Sequence, residues 1–504
     1  MSSKKRPKTA HSSKLTNFRL VLLYSFPAAL FCSYYPLFHF SESASTNYEL
    51  SLSLIWLLLF SVLSLKDAIY YIYNIIKQFK AKRSLKTILP LLAFLFPLYL
   101  SLTALWSTNP LRAVLTSGIL WCIFISAIGV VRLAQTKAFA KDKFLKFFLL
   151  TTCVFCGFCW LQSLLDIFGV DRSITLLCPG CTSYSFGFPH PSGFAIEPQF
   201  MGNLLLAPSL LSLYLWLKSK TTKTIFDSKN LLLISFFIVG TLFLTFSRGA
   251  IYSFALAFVV LLIVNLVKLK NRVWLKSIPL ILASFLFTLL MQGLFSAASY
   301  TNSTFASGIE NSISQLSLGK IELHLSPKTE TPNSALPQEK TSIETLPVGS
   351  QIDAPVFDGY VEESTSTRMK FNRIALELAT KNAKTLLFGY GLGSAGETMF
   401  KEGKTDTPFE IVQNEYLSLL LETGLLGLLL AALTLVIVLS YLKKLNRPER
   451  YPLGAIVVSF LASLLFFSGL PNAVHLYLFP VFLAVTFPTS PQKQPSSLKF
   501  SPRA

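Results

Sequence analysis

The sequence predicts an all-α, polytopic transmembrane helical bundle of about 12 spans with one large extracytoplasmic loop. Three observations carry that prediction. The 504 residues are 52% hydrophobic and only 14% charged, where a soluble chain carries roughly a quarter charged residues. Apolar stretches of about 20 residues recur, the length that crosses a hydrocarbon core. The basic residues stand in short clusters between those stretches, from Lys4-Lys5-Arg6 to the tail beginning at Lys493.

The spans, in order, are read as 18–40, 50–65, 87–106, 113–134, 145–170, 199–217, 230–247, 249–267, 277–295, 412–442, 451–470 and 473–487. Helices are the natural spanning element, because a long helix satisfies its own backbone where water is absent. The first run, Phe18 to Phe40, is longer than the core of a cleavable signal and lacks a small-residue cleavage site, so it reads as a retained anchor. Starting from a cytoplasmic N-terminus, the spans return the C-terminus to the cytoplasm. Thirty-two of the 45 lysines and arginines then lie on the cytoplasmic side, and the short outer turns hold only Arg112, Arg172 and Arg248. That asymmetry is the positive-inside pattern of a multi-pass protein of the cytoplasmic (inner) membrane. The net charge of +20 therefore reads as a topology signal and an attraction to membrane lipid, not as a nucleic-acid surface. The expected organisation is a first bundle of about nine spans (1–295), the outer loop (296–411), three last spans (412–487) and a basic cytoplasmic tail (488–504).

The loop changes character along its length. Ser296 to Thr365 is rich in Ser, Thr, Pro and Glu, and reads as flexible or irregular. Phe371, Ile374, Ala375 and Leu378 then follow the spacing of one helical face, predicting a short amphipathic helix that needs tertiary contact. Gly389-Tyr390-Gly391-Leu392-Gly393 follows as a turn tolerant of positive φ. No internal repeat and no matched pair of broken helices is visible.

Cys153, Cys156 and Cys159 recur along one helical face and read as small packing residues. Cys178-Pro179-Gly180-Cys181 suits a disulfide in an outer loop if that side is oxidising. A metal site joining this pair to His190 lacks a standard spacing, so neither a metal nor a cofactor is expected.

Ionisable groups near the outer membrane face are the informative ones, since they are costly at membrane depth. Glu197, in Ser192 to Gly202, precedes the helix-starting Pro198 and suits either a helix dipole or a site. Arg248 stands alone between two apolar runs, either snorkelling or offering its planar fork to phosphate. Arg368 and Arg373 flank Lys370 in a cationic patch that is either solvated surface or an anion site. Gln413, Asn414 and Glu415 open an apolar span, and Glu422 shares the Glu415 face two turns on. These acids fit either a dipole-favoured helix start or a wet cavity. No P-loop, dinucleotide fingerprint, zincin or nucleophile-elbow motif accompanies them.

Five segments in order carry a resemblance to the O-antigen ligase and O-antigen polymerase superfamily of bacterial envelope proteins. They are Trp106 to Pro110, Gly193 to Gly202, Thr245 to Gly249, Arg368 leading to the Gly389–Gly393 turn, and Gln413 to Gly427. The resemblance runs from about Pro90 to Gly469. It implies glycan transfer from a polyprenyl (undecaprenyl) diphosphate donor to a glycan or lipid acceptor outside the cytoplasmic membrane, in O-antigen or other cell-surface polysaccharide assembly. It implies no nucleotide and no protein partner that the sequence identifies. By motif, Arg248 and Arg368 correspond to arginines that hold the donor diphosphate, with Glu197, Asn414 and Glu415 as further catalytic candidates. Arg373, Gln413, Gly391 and Gly393 are the substrate-binding candidates. One departure stands out: ligases commonly carry His-Asn where this chain has Gln413-Asn414, and an amide takes up no proton near neutral pH. A required base then falls to Glu415 or Glu197, or the member differs in acceptor or activity. Two readings outside glycan transfer remain, a membrane transporter and an inactive envelope-assembly scaffold.

Overall fold

The computed structural model describes residues 10–33, 36–41, 47–82, 90–136, 138–169, 189–195, 198–220, 225–268, 273–299, 303–318, 320–321, 323, 325, 360–408, 410–442 and 447–466. In chain order the elements are α1 (Ala10–Tyr24), α2 (Phe26–Phe31), strands β1 (Pro36–Ser41) and β2 (Asn47–Ser51), α3 (Leu52–Lys82), α4 (Leu95–Leu102), α5 (Pro110–Ala134), α6 (Lys141–Ile167), α7 (Pro198–Ser219), α8 (Ser228–Leu244), α9 (Arg248–Lys268), α10 (Ile278–Ala298), α11 (Phe305–Ser317), α12 (Tyr360–Ala379), α13 (Ala383–Phe388), α14 (Ala395–Lys401), α15 (Glu415–Leu442) and α16 (Arg447–Ser463).

Seven segments among the described residues are long and apolar enough to cross a membrane: α3, α5, α6, α7, α9, 273–298 containing α10, and α15. Four shorter apolar helices, Leu15–Tyr24, Pro90–Leu105, Ser228–Leu244 and Arg450–Ser463, overlap four further expected spans, the first of them only over 18–24. The twelfth, 473–487, and the basic tail lie outside the described residues.

Three expectations need correction. The apolar run from Phe18 to Phe40 is not one helix. Pro27, in the first turn of α2, restarts the helix after Ser25, and an antiparallel hairpin follows, with His39 opposite Glu49 and Ser41 opposite Asn47. The Ser-rich start of the outer loop is not wholly irregular. It contains α11, capped reciprocally by Thr304 and Ser307, because Phe305 lies against Gly293 and Gly308 against Ser296 of α10. Finally, α15 is broken once: Gly424 has φ 66° and ψ −172°, so the span is two helices in series.

The chain divides into two compact units, one of residues 1–150 with 371–504 and one of 151–370. In the first, α3 packs along α5, with Gly129 admitting Ser64 at the closest approach. Asp67 bridges Arg19 at 2.7 Å and Arg132 at 3.3 Å, and the Tyr24 hydroxyl donates to the Ala140 carbonyl at 3.1 Å. The helix ends that the charge pattern assigns to the cytoplasm therefore meet one another. In the second unit, α7 is buried along nearly its whole length. Trp160 on α6 donates to Thr241 on α8 at 3.0 Å. Cys156 and Cys159 are buried and Cys153 half-buried, as packing residues would be. Cys178 and Cys181 lie outside the described residues.

Candidate functional site

In the first unit the break at Gly424 organises everything around it. Interrupting a helix frees carbonyls that the next turn would have taken, and a buried carbonyl left alone costs about 1–3 kcal/mol. The glycine turn after α13 supplies the missing donors. The Tyr390 N–H donates to Leu421 O at 3.0 Å, and the Gly391 N–H to Glu422 O at 2.7 Å. The Tyr99 hydroxyl on α4 donates to Thr423 O at 2.8 Å, with Phe388 O at 3.3 Å. Gly389 (φ 69°) and Gly424 face each other so closely that a Cβ on either would overlap the other strand of backbone.

The Trp106–Pro110 segment locks onto the same turn. The Ser107 hydroxyl donates to Leu392 O and accepts from the Asn109 N–H, both at 3.1 Å. The Leu392 N–H donates to the Thr103 hydroxyl at 3.1 Å. Gly391 (φ 99°) rests on the Ser107 backbone, and Gly393 (φ 74°) would bring a Cβ to 2.9 Å from Cγ of Arg112. Asn109 caps α5 by accepting from the Arg112 N–H at 3.1 Å, with Pro110 at the first helical turn. Glu422 closes the arrangement. It is 4% exposed, its Oε1 accepts from the Ala395 N–H at 3.1 Å, the Gly393 N–H also points at its carboxylate, and Arg112 is its charged neighbour. Thus Gly391 and Gly393 are placed where close backbone approach demands glycine. Tyr99 and Arg112 were not among the expected site residues, whereas Glu422 was singled out beside Glu415. The spacing of Glu415 to Glu422 was the available signal, and both acids are buried.

Asn414 has a structural duty. Its Oδ1 accepts from the N–H groups of Tyr416 at 3.0 Å and Leu417 at 3.2 Å, which makes it the N-cap of α15. The Glu415 N–H donates to Leu464 O at 2.9 Å, and the Tyr416 hydroxyl to Leu461 O at 2.8 Å. Gln413 is half-buried just before the cap. The amphipathic helix expected at 371–378 is the end of α12. Ile374, Ala375 and Leu378 pack with Ala395, Met399, Val412 and Leu421 in one cluster.

Exposed ion pairs pin this region. Lys404 holds Glu377 at 2.7 Å and Glu402 holds Lys381 at 2.8 Å. The hydrogen bond from Lys404 lowers the Glu377 carboxyl below its ordinary value, and the one to Glu402 raises Lys381. Burial, then Glu402, raises the Tyr390 phenol. Arg373 is exposed on α12.

In the second unit the other two expected motifs converge. Gly202 lies against the turn between α8 and α9, where a Cβ would come within 2.7 Å of Ala250 Cβ and 3.1 Å of Ser247 Cβ and Thr245 Oγ1. That turn contains Phe246 at φ 45°, an unusual conformation for a bulky residue. Arg248 begins α9 and is half-buried. Gln162 fixes the preceding loop, donating to Gly193 O at 3.0 Å and accepting from its N–H at 2.8 Å. Gln292 donates to Pro189 O at 2.8 Å, and His190 meets the Phe246 ring edge-on at 6.1 Å. Arg368 is half-buried on α12. Glu197 lies outside the described residues. No group of His, Cys, Asp and Glu suited to a metal occurs among the described residues.

Residues 233–432 match the family described as O-antigen ligase. The matched stretch contains Arg248, Arg368, the glycine turn, Gln413 to Glu415 and the break at Gly424. No curated protein matches the chain.

Proposed function

We propose that this chain, whose residues 233–432 match the family described as O-antigen ligase, transfers a glycan from polyprenyl diphosphate to a glycan or lipid acceptor. That match and the seven long apolar helices support glycosyl transfer in cell-surface polysaccharide assembly by a multi-pass inner-membrane protein. The donor, the acceptor and the side of the membrane are our reading. The observation that carries it is Arg248, held half-buried at the start of α9 by a strained turn against Gly202.

In this mechanism an acceptor hydroxyl attacks the anomeric carbon of the donor glycan. The new C–O bond forms as the bond to the diphosphate breaks, and polyprenyl diphosphate departs with the electron pair. Arg248 and Arg368 neutralise charge developing on the diphosphate, each with a fork that fits two phosphate oxygens. The hydroxyl proton passes to a carboxylate, because Gln413 has no basic nitrogen. Asn414 contributes through helix capping.

The transporter reading predicts freed backbone groups lining a path for the cargo. Here the carbonyls of Leu421, Glu422 and Thr423 are already taken by Tyr390, Gly391 and Tyr99. Glycan analysis of Arg248→Ala and Arg368→Ala in the native host tests the proposal. Loss of chain length or of attachment at equal protein levels is expected. Unchanged glycan would overturn it and leave the scaffold reading.

A further inference from the structure

We infer that the Trp106–Asn109 turn and Glu422 form a subsite for a neutral, hydroxyl-bearing sugar ring; this deepens the glycan-transfer reading and rests on it. Buried polar atoms in folded proteins are nearly always paired. Around the glycine turn three are not: Trp106 Nε1, Thr108 Oγ1 and Glu422 Oε2 are buried without a hydrogen-bond partner. They belong to one locked assembly. Trp106 and Thr108 flank Ser107, whose hydroxyl holds Leu392. The Trp106 ring lies 6.3 Å from that of Tyr99, and Tyr99 holds the carbonyl of Thr423, the residue after Glu422. The other Glu422 oxygen is committed to the Ala395 amide.

The chemistry of the three atoms selects the ligand. An indole N–H only donates, a carboxylate oxygen only accepts, and a threonine hydroxyl does either. The ligand must therefore offer acceptors and a donor together. A sugar hydroxyl is both. A phosphate offers acceptors alone and gives Glu422 Oε2 no donor, so the donor diphosphate does not fit. The sugar comes from either the donor glycan or the acceptor glycan, and the two are separable by kinetics. If instead the three atoms were merely unsatisfied, replacing them with apolar groups of the same shape would be neutral or stabilising, with no kinetic consequence.

The test is transfer by the full chain reconstituted in lipid vesicles, with lipid-linked donor and acceptor purified from the native host, for wild type, Trp106→Phe, Thr108→Val and Thr108→Ser. The first two should raise one KM about 3- to 10-fold, the range for one lost neutral hydrogen bond. The effect on kcat should be smaller and the melting temperature should not fall; Thr108→Ser should restore the KM. Movement of the donor KM or of the acceptor KM assigns the sugar. A parallel measurement follows the melting temperature with oligosaccharide released from the host's surface glycan. Wild type should be stabilised and the Trp106→Phe, Thr108→Val double variant should not. If wild type transfers no glycan but keeps this sugar-dependent stabilisation and the double variant loses it, the transfer reading fails and the subsite stands. Unchanged KM values in both single variants, or sugar stabilisation absent from wild type or equal in wild type and the double variant, overturn the subsite.

Discussion

Replacing Gly424 with alanine should unfold the assembly around the glycine turn while leaving the rest of the bundle intact. The residue has φ 66° and ψ −172°, a region nearly exclusive to glycine that costs other residues about 1–3 kcal/mol. The added Cβ would also overlap the carbonyl carbon and oxygen of Leu387. Because the obstacle is backbone, a side-chain rotation cannot relieve it, and overpacking adds about 1–3 kcal/mol. The summed cost of about 2–6 kcal/mol is a large share of the roughly 5–15 kcal/mol that keeps a typical protein folded. The cheapest escape is for α15 to run straight through, which pulls Leu421 O and Glu422 O from the amides of Tyr390 and Gly391. Hydrogen exchange in detergent should show those two amides losing protection, with α3 and α5 unchanged, and the melting temperature should drop by several degrees. Gly118→Ala is the control: nothing lies within 4 Å of its Cβ, and alanine in a helix interior gains up to about 1 kcal/mol. Full protection of Tyr390 and Gly391 in Gly424→Ala, with an unchanged melting temperature, would refute the coupling between the break and the turn.

Further substitutions probe its neighbours. Tyr99→Phe removes the hydroxyl that holds Thr423 O and should cost about 1–3 kcal/mol, read by thermal unfolding, because the carbonyl stays buried. Asn414→Ala should lose about 1 kcal/mol as a missing N-cap, and Asn414→Ser, another capping residue, should recover both stability and transfer; recovery of stability alone would return Asn414 to the chemistry. Asp67→Ala leaves Arg19 and Arg132 facing each other half-buried and should destabilise more than the double change Arg19→Ala with Asp67→Ala, by thermal unfolding. The exposed pairs between residues 377 and 404 predict a pH window for the protease resistance of that segment. Glu377 has a lowered pKa, so its contribution is present above the usual carboxylate range and is lost as pH falls through the folded value. Lys381 has a raised pKa, so its contribution is present below the usual lysine range and is lost as pH rises through the folded value. Protection should be flat between these limits and weaken with salt at neutral pH.

The seven long spans were legible because a membrane imposes a single requirement, a long apolar run, and clusters such as Lys268 to Lys276 mark their ends. The hairpin at 36–51 escaped because Phe18 to Phe40 satisfies the same apolar test whether it forms one helix or a helix and a strand. The helix α11 escaped because its stability lies in contacts with Gly293 and Ser296, which its Ser-rich composition does not announce. Among the proposed site residues, Arg248 and the glycine turn were visible as single features. The cap that Asn414 forms was not legible, because a cap role and a motif role look the same in a string of letters.

The break at Gly424 is the feature that sequence periodicity is least able to report. Gly424 and Gly427 sit in an apolar run that a continuous helix would accommodate, and glycine is common in membrane helices. What lies against the break is the turn at Gly389, some 35 residues earlier, packed so closely that a Cβ on Gly389 would overlap Glu422 and one on Gly424 would overlap Leu387. Each glycine alone is permissive, and only the pair is restrictive. A straight α15 would satisfy its own carbonyls and leave the amides of Tyr390 and Gly391 without acceptors. A broken α15 without the turn would leave the carbonyls of Leu421 and Glu422 alone. Neither half is stable by itself at membrane depth, where every backbone group must find a partner. The span and the outer loop therefore fold as one unit, and the Trp106–Asn109 turn, which bonds to Leu392, is set in place only when both have done so. An assembly built this way is rigid at the glycine turn, even though half of it belongs to a loop.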